Sequence, residues 1–209
     1  MEDLSSLLGV ITALTVGVVS PGPSFVLVAR TAVSASRSDG VAAAIGMGGG
    51  GVVFAVAALL GLQGLLLAVP SVYLSLKVLG GLYLAYLGIR IWLAAKQPLS
   101  VVGHTSGPTS KLKSLLLGFT TQVSNPKTAI VYASVFAAFM PATQSFAFDL
   151  ALVALVFTIE ASWYAVVALA LSSERPREAY LHHKAWVDRI AGGVMVALGM
   201  KLASSACRA

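Results

Sequence analysis

Charge is scarce in this sequence. Asp, Glu, Lys and Arg make up 11% of its 209 residues, while 57% are hydrophobic and the mean hydropathy is +0.88. A soluble domain carries about 25% charged residues. Too little polar surface is present to coat a globule in water, so the chain reads as an integral membrane protein with no room for a soluble domain. Cysteine is nearly absent: Cys207 stands alone, which excludes an intramolecular disulfide and a cysteine-built metal cluster. Histidine is confined to His104, His182 and His183, outside the apolar runs. An intramembrane protease needs a serine with a membrane-buried base. A metal-ion carrier needs several hard or imidazole ligands within its spans. Neither set is present, and no cofactor or metal is expected. Positive charge is missing from the Met1-Glu2-Asp3 terminus. A secretory signal would carry it, so the first apolar stretch is expected to be a retained span. Acidic residues are outnumbered 8 to 14, for a net charge of +6. In a membrane protein such an excess marks cytoplasmic loops, and no nucleic-acid partner is expected.

What is present is apolar sequence in long runs. A hydrocarbon core about 30 Å thick takes roughly 20 helical residues, and the length suits six spans, at 6–28, 41–62, 71–95, 114–140, 148–171 and 188–206. The uncharged run from Val41 to Leu76 is too long for one span, and Gln63-Gly64 and Pro70-Ser71 are expected to turn it. Basic residues gather in three alternate loops: Arg30 and Arg37; Arg90, Lys96, Lys111 and Lys113; Arg175, Arg177, Lys184 and Arg189. The opposite side has Lys201, Arg208 and a Lys77 able to snorkel. Both termini are therefore expected outside and the basic loops inside, against anionic lipid headgroups.

The two halves echo each other. Gly80-Gly81, Gly88 and Arg90 in span three match Gly192-Gly193, Gly199 and Lys201 in span six, and Ser20-Pro21-Gly22-Pro23 matches Ser124-Asn125-Pro126-Lys127. Three spans per half turn the second half upside down, giving an all-α membrane domain over residues 1–209 built as two inverted three-helix repeats, about 1–98 and 110–209. In secondary transporters with this arrangement, paired helix breaks mark the substrate site.

The breaks carry the candidate chemistry. Pro21 and Pro23 have no N–H, so the carbonyls of Gly17 and Val19 lose their helical donors. Gly22 is expected to use dihedrals closed to other residues. Freed backbone groups in hydrocarbon cost several kcal/mol unless satisfied, so a cavity is expected there. In span four, Pro126 frees the carbonyl of Gln122, and Asn125 brings both donor and acceptor. Lys127 falls about 20 Å into a span starting near Ser114, too deep to snorkel easily, and a buried role is expected. Glu160 is the deepest acid, about 16 Å from Asp149. Two uses are open: it could neutralise Lys127, or face the pathway to bind an ammonium or carry a proton. Ser162, Trp163 and Tyr164 could line the same cavity or simply pack, and the direction of Tyr83 and Tyr86 is not set. The Gly46 to Gly51 cluster is expected to pack closely against span one. The candidate substrate-binding residues are Ser20, Pro21, Gly22, Pro23, Gln122, Ser124, Asn125, Pro126, Lys127 and Glu160.

With Arg30 to Gly46, the Lys77 to Gly88 stretch and Phe139-Met140-Pro141 added, these motifs resemble the LysE/RhtB family of bacterial amino-acid exporters over nearly the whole chain. The resemblance implies a six-span, multi-pass inner-membrane protein that exports amino acids or close derivatives on the proton gradient, its proline motifs shaping the central site. Family members take basic, hydroxylated, aliphatic or sulfur-containing amino acids, so the substrate stays open. The expected mechanism is alternating access. Half-helix N-termini would hold the carboxylate of a small zwitterion, and freed carbonyls, with Glu160, would hold its ammonium. The glycine faces permit a homodimer. The rivals are a transporter of another small solute or ion and a non-transporting assembly subunit; the latter leaves the paired breaks unexplained.

Overall fold

A computed structural model describes residues 2–20, 22–68, 70–97, 110–141 and 144–206. They form eight α-helices and, among the described residues, no strand: α1 (Glu2–Val19), α2 (Pro23–Ser34), α3 (Arg37–Ala68), α4 (Pro70–Ala94), α5 (Lys111–Val123), α6 (Pro126–Phe139), α7 (Phe146–Leu171) and α8 (Glu174–Ala206). The starts follow local chemistry. Ser110 and Ser145 cap α5 and α7 through their hydroxyls, satisfying N–H groups that a helix start leaves without partners. Pro23 and Pro126 stand in the first turns of α2 and α6, where a missing N–H costs nothing.

By length and apolarity, α3 over Arg37–Gly61 and α7 over Phe146–Leu171 can each cross a membrane. α1 and α2 pass together as a third, bent by 57° at their break. Two expectations need correction. Gln63-Gly64 does not turn the chain: α3 runs through it to Ala68, and the new helix starts at Pro70, whose ring is tolerated at a helix start and not inside one. Arg175, Arg177, Lys184 and Arg189 are not loop residues, because α8 starts at Glu174, well before 188. Hydropathy finds the hydrocarbon slab, whereas helical hydrogen bonding continues past it.

Hydrogen bonds gather the basic segments at one end. Arg37 Nη2 donates to Ser173 Oγ at 2.7 Å, tying the start of α3 to the end of α7. Ser114 Oγ donates to Asp39 Oδ1 at 3.0 Å, tying α5 to α3. Lys184 Nζ reaches the Ala95 carbonyl at 3.4 Å, tying α8 to the end of α4. Two apolar clusters fill the bundle. One, built on Leu14, Tyr132, Phe136, Leu152 and Met195, lies toward the other end. The second, built on Phe25, Val28, Met47, Val167 and Leu171, lies toward the basic end.

Glycines set how close the helices come. Gly81 of α4 lies on the Gly199 carbonyl of α8, and Gly88 on that of Gly192, with the reverse contacts also made. Gly81 and Gly88 thus meet Gly199 and Gly192, in antiparallel order. The Gly46 to Gly51 cluster does not pack on span one. Gly46 lies on the Leu115 carbonyl, Gly50 on Gln122 and Gly48 on Phe157 and Ala161. α5 approaches here through its own Gly118, which sits on the Ala43 carbonyl, so two side-chain-free surfaces meet backbone to backbone. These glycines, whose faces would permit a homodimer, are used within the chain.

Candidate functional site

The two helix breaks meet. α1 makes its last bond from Ser20 N to Val16 O, at 3.3 Å, and α2 opens with Val26 N to Gly22 O, at 3.0 Å. On the opposing strand of chain, α5 gives way to α6 at Ser124-Asn125. Buried Ser24 bridges them: its Oγ donates to Gln122 Oε1 at 2.7 Å and accepts from Asn125 Nδ2 at 2.9 Å. Asn125 Oδ1 accepts from Lys127 N at 3.0 Å, capping α6. The donor and acceptor that made Asn125 attractive as a ligand are therefore committed to holding the breaks together. α2 has no comparable side-chain cap; Gly22 precedes it.

Lys127 bridges the breaks a second time. Its Nζ donates to the Gly17 carbonyl at 3.2 Å and the Ser20 carbonyl at 2.8 Å. Gly17 is one of the carbonyls that a proline deprives of its helical donor, so an internal ammonium occupies a position expected for the substrate's. Pro126 does not leave Gln122 free either, because Asn125 N turns back to the Gln122 carbonyl at 3.1 Å. Gly22 also differs from expectation. Its φ of −158° is extended backbone open to any residue; what stands against it is the Lys127 side chain.

Glu160 is buried, 1% exposed, and accepts from Tyr132 OH at 2.9 Å through Oε1. It is within electrostatic reach of Lys127 and close to the Gln122 amide. The Lys127 ammonium is bonded to backbone carbonyls, however, and among the described residues makes no ion pair with Glu160. Glu160 Oε2 and Ser20 Oγ are buried without hydrogen-bond partners.

These groups surround one cavity. Ser20, Gly22, Ser24, Asn125, Lys127 and Glu160 line it, with Leu14, Val18 and Val131 as its apolar wall and Thr128, Tyr132 and Tyr164 completing it. Its free volume is about 20 Å³, room for a water or two and not for an amino acid. Of the candidates, Gln122 stands behind the wall, holding Ser24. Pro23, Ser124 and Pro126 point outward as exposed residues, so they shape the breaks without lining the cavity. Pro21 lies outside the described residues, as do His104 and Cys207.

Trp163 packs on the cluster near the basic end while Tyr164 faces the cavity. Tyr86 is exposed and accepts from Arg90 Nη1 at 2.8 Å, with Tyr83 against it. Tyr132 and Thr128 were not foreseen. Counting from Asn125 they fall at i+7 and i+3, one face of a helix, and that spacing was the available signal. Among the described residues no group of three or more His, Cys, Asp or Glu could hold a metal.

Residues 15–206 match the family model described as LysE type translocator. The chain is 32% identical over 191 residues to a threonine efflux protein of Salmonella typhi, covering 90% of this chain and 92% of that one. It is 31% identical over 189 residues to the threonine efflux protein of Escherichia coli K12, with the same coverage. An uncharacterized membrane protein of Haemophilus influenzae is 28% identical over 191 residues, covering 89% and 90%. No solved structure matches. A family match over nearly the whole length, on an all-helical chain whose two broken segments enclose a polar cavity, places this protein in the LysE type translocators: it is a bacterial inner-membrane transporter and not an enzyme.

Proposed function

We propose that this protein exports a small amino acid, coupled to proton entry, by alternating access between two inverted three-helix repeats. Six spans are counted by taking α1 with α2, and α5 with α6, as one broken span each. The basic end faces the cytoplasm against anionic headgroups, and both termini face outside. The reciprocal glycine contacts of α4 and α8 support a two-fold relation between the halves.

The observation that carries the proposal is a pair of buried, unpartnered polar atoms, Ser20 Oγ and Glu160 Oε2, in a cavity where both breaks meet. Buried polar groups nearly always find partners, and a ligand would supply these. The N-terminus of α2, which has no side-chain cap, offers amide N–H groups and the positive end of its dipole to a carboxylate. Glu160 Oε2 accepts from the ammonium. The cavity is too small for substrate in this state, so loading requires the breaks to part, with Lys127 leaving its carbonyls. Gaining and losing a proton at Glu160 in opposite-facing states couples the cycle to the gradient.

Because two relatives bear the name threonine efflux protein, L-threonine is the first substrate to test. Everted membrane vesicles should accumulate labelled L-threonine when a pH gradient, acid inside, is imposed. Glu160→Gln should lose at least about tenfold of that gradient-driven accumulation while still exchanging threonine down its own gradient. Undiminished accumulation by the variant would remove Glu160 from the coupling. Absence of wild-type uptake for every amino acid tried would overturn the exporter reading itself.

A further inference from the structure

We infer that Asp188, together with Tyr180 and Lys184, forms a second ammonium-binding station between the basic end of the bundle and the central cavity. The three residues are spaced four apart on α8, which sets them along one face of the helix. Lys184 and Asp188 are buried, 7% and 3% exposed. Lys184 Nζ donates to Asp188 Oδ2 at 2.6 Å and to the Ala95 carbonyl at 3.4 Å.

A buried ion pair gains little stability over apolar packing, and ionisable residues within a membrane bundle mark pathways. Neutralisation alone would leave no loose ends, yet this cluster of three residues has two. Asp188 Oδ1 and Tyr180 OH are both buried with no hydrogen-bond partner. The free carboxylate oxygen calls for a charged donor, and the phenol, within electrostatic reach of that carboxylate, can bond the same ligand's polar groups. A primary ammonium fits, because Lys184 already shows one seated on the other oxygen.

The station's position joins it to the cavity. The Tyr180 ring stacks on Phe25 with centroids 5.1 Å apart, and Phe25 lies in the first turn of α2, directly after the break. Asp188 also interacts electrostatically with Lys127, the ammonium that seals the cavity. An arriving amino acid would share the Asp188 carboxylate with Lys184 before moving past Phe25 to the breaks.

The role of the ligand rests on the exporter reading, so one arm of the test is independent of transport. With Cys207→Ser and Tyr180→Cys in place, 2-aminoethyl methanethiosulfonate should label the cysteine at least about tenfold faster than the sulfonatoethyl reagent. Asp188→Asn should erase most of that preference, and Asp188→Glu should keep it. A preference indifferent to Asp188→Asn overturns the station. In the transport arm, Asp188→Asn should raise the KM for labelled L-threonine in everted vesicles at least about tenfold, with kcat within about twofold, and Asp188→Glu should restore it. An unchanged KM also overturns the station. If Asp188→Asn fails to accumulate with its lysine stranded, Lys184→Met combined with Asp188→Asn replaces it in both arms. Should wild-type vesicles take up nothing, the exporter reading fails while the labelling arm still decides the station.

Discussion

Lys127→Met should reduce L-threonine transport at least about 100-fold, a loss equivalent to about 2.7 kcal/mol of barrier. The ammonium ties α6 to the end of α1 at the other break, through the Gly17 and Ser20 carbonyls. Methionine fills similar volume and donates nothing. Each carbonyl then stays buried without a donor, at about 1–3 kcal/mol apiece. The Gly17 carbonyl cannot recover a helical donor, because the residue four positions on is Pro21. The variant should therefore also melt earlier than wild type in detergent. Thermal unfolding and vesicle uptake measured on one preparation check both effects. Full activity at an unchanged melting temperature would mean that the lysine closes nothing.

Gly118→Val should prevent the protein from accumulating in the membrane. A Cβ at this position would run into the Ala43 carbonyl group of α3, and one at Gly46 would run into the Leu115 carbonyl of α5. Backbone cannot rotate away as a side-chain tip can, so α3 and α5 must separate along their length. Overpacking a core by a few methylenes costs about 1–3 kcal/mol, and a collision with main chain lies at or above the top of that range. Gly61 supplies the control on α3, since nothing lies within 4 Å of a Cβ there. Gly61→Val should accumulate and melt like wild type. Quantifying both variants in purified membranes distinguishes them, and equal levels would refute close α3–α5 packing.

The breaks were legible because their cause is local. Pro23 and Pro126 interrupt helical bonding wherever they fall, and the sequence around them is otherwise apolar. The burial of Lys127 was legible from its depth in the run. Its partner was not. Glu160 was an obvious candidate by charge, but which oxygen an ammonium meets depends on how two helices cross, and here the nearest acceptors are the carbonyls released by the other break.

Asn125 shows a related limit. Its polarity signalled a ligand; it lines the cavity, but in this state its side chain also caps α6 and bridges to Ser24. The glycine run of α3 announced a close contact without saying with what. The answer depended on Gly118, in a segment whose own glycine carried no periodic signal. Lys184 was obscured by the hydropathy window, which starts the last span at 188, whereas α8 begins at Glu174 and buries both Lys184 and Asp188.

The α4–α8 seam has a mechanical consequence. Gly81 and Gly88 are seven residues apart, as are Gly192 and Gly199, so the points where the two backbones touch recur every two turns, with Val196 beside Gly88 and Trp92 beside Gly192. Ordinary helix pairs resist rotation because knobs must leave their holes. At the glycines themselves there is no knob to lift, so under the proposed alternating access this seam is the axle on which one half would swing against the other.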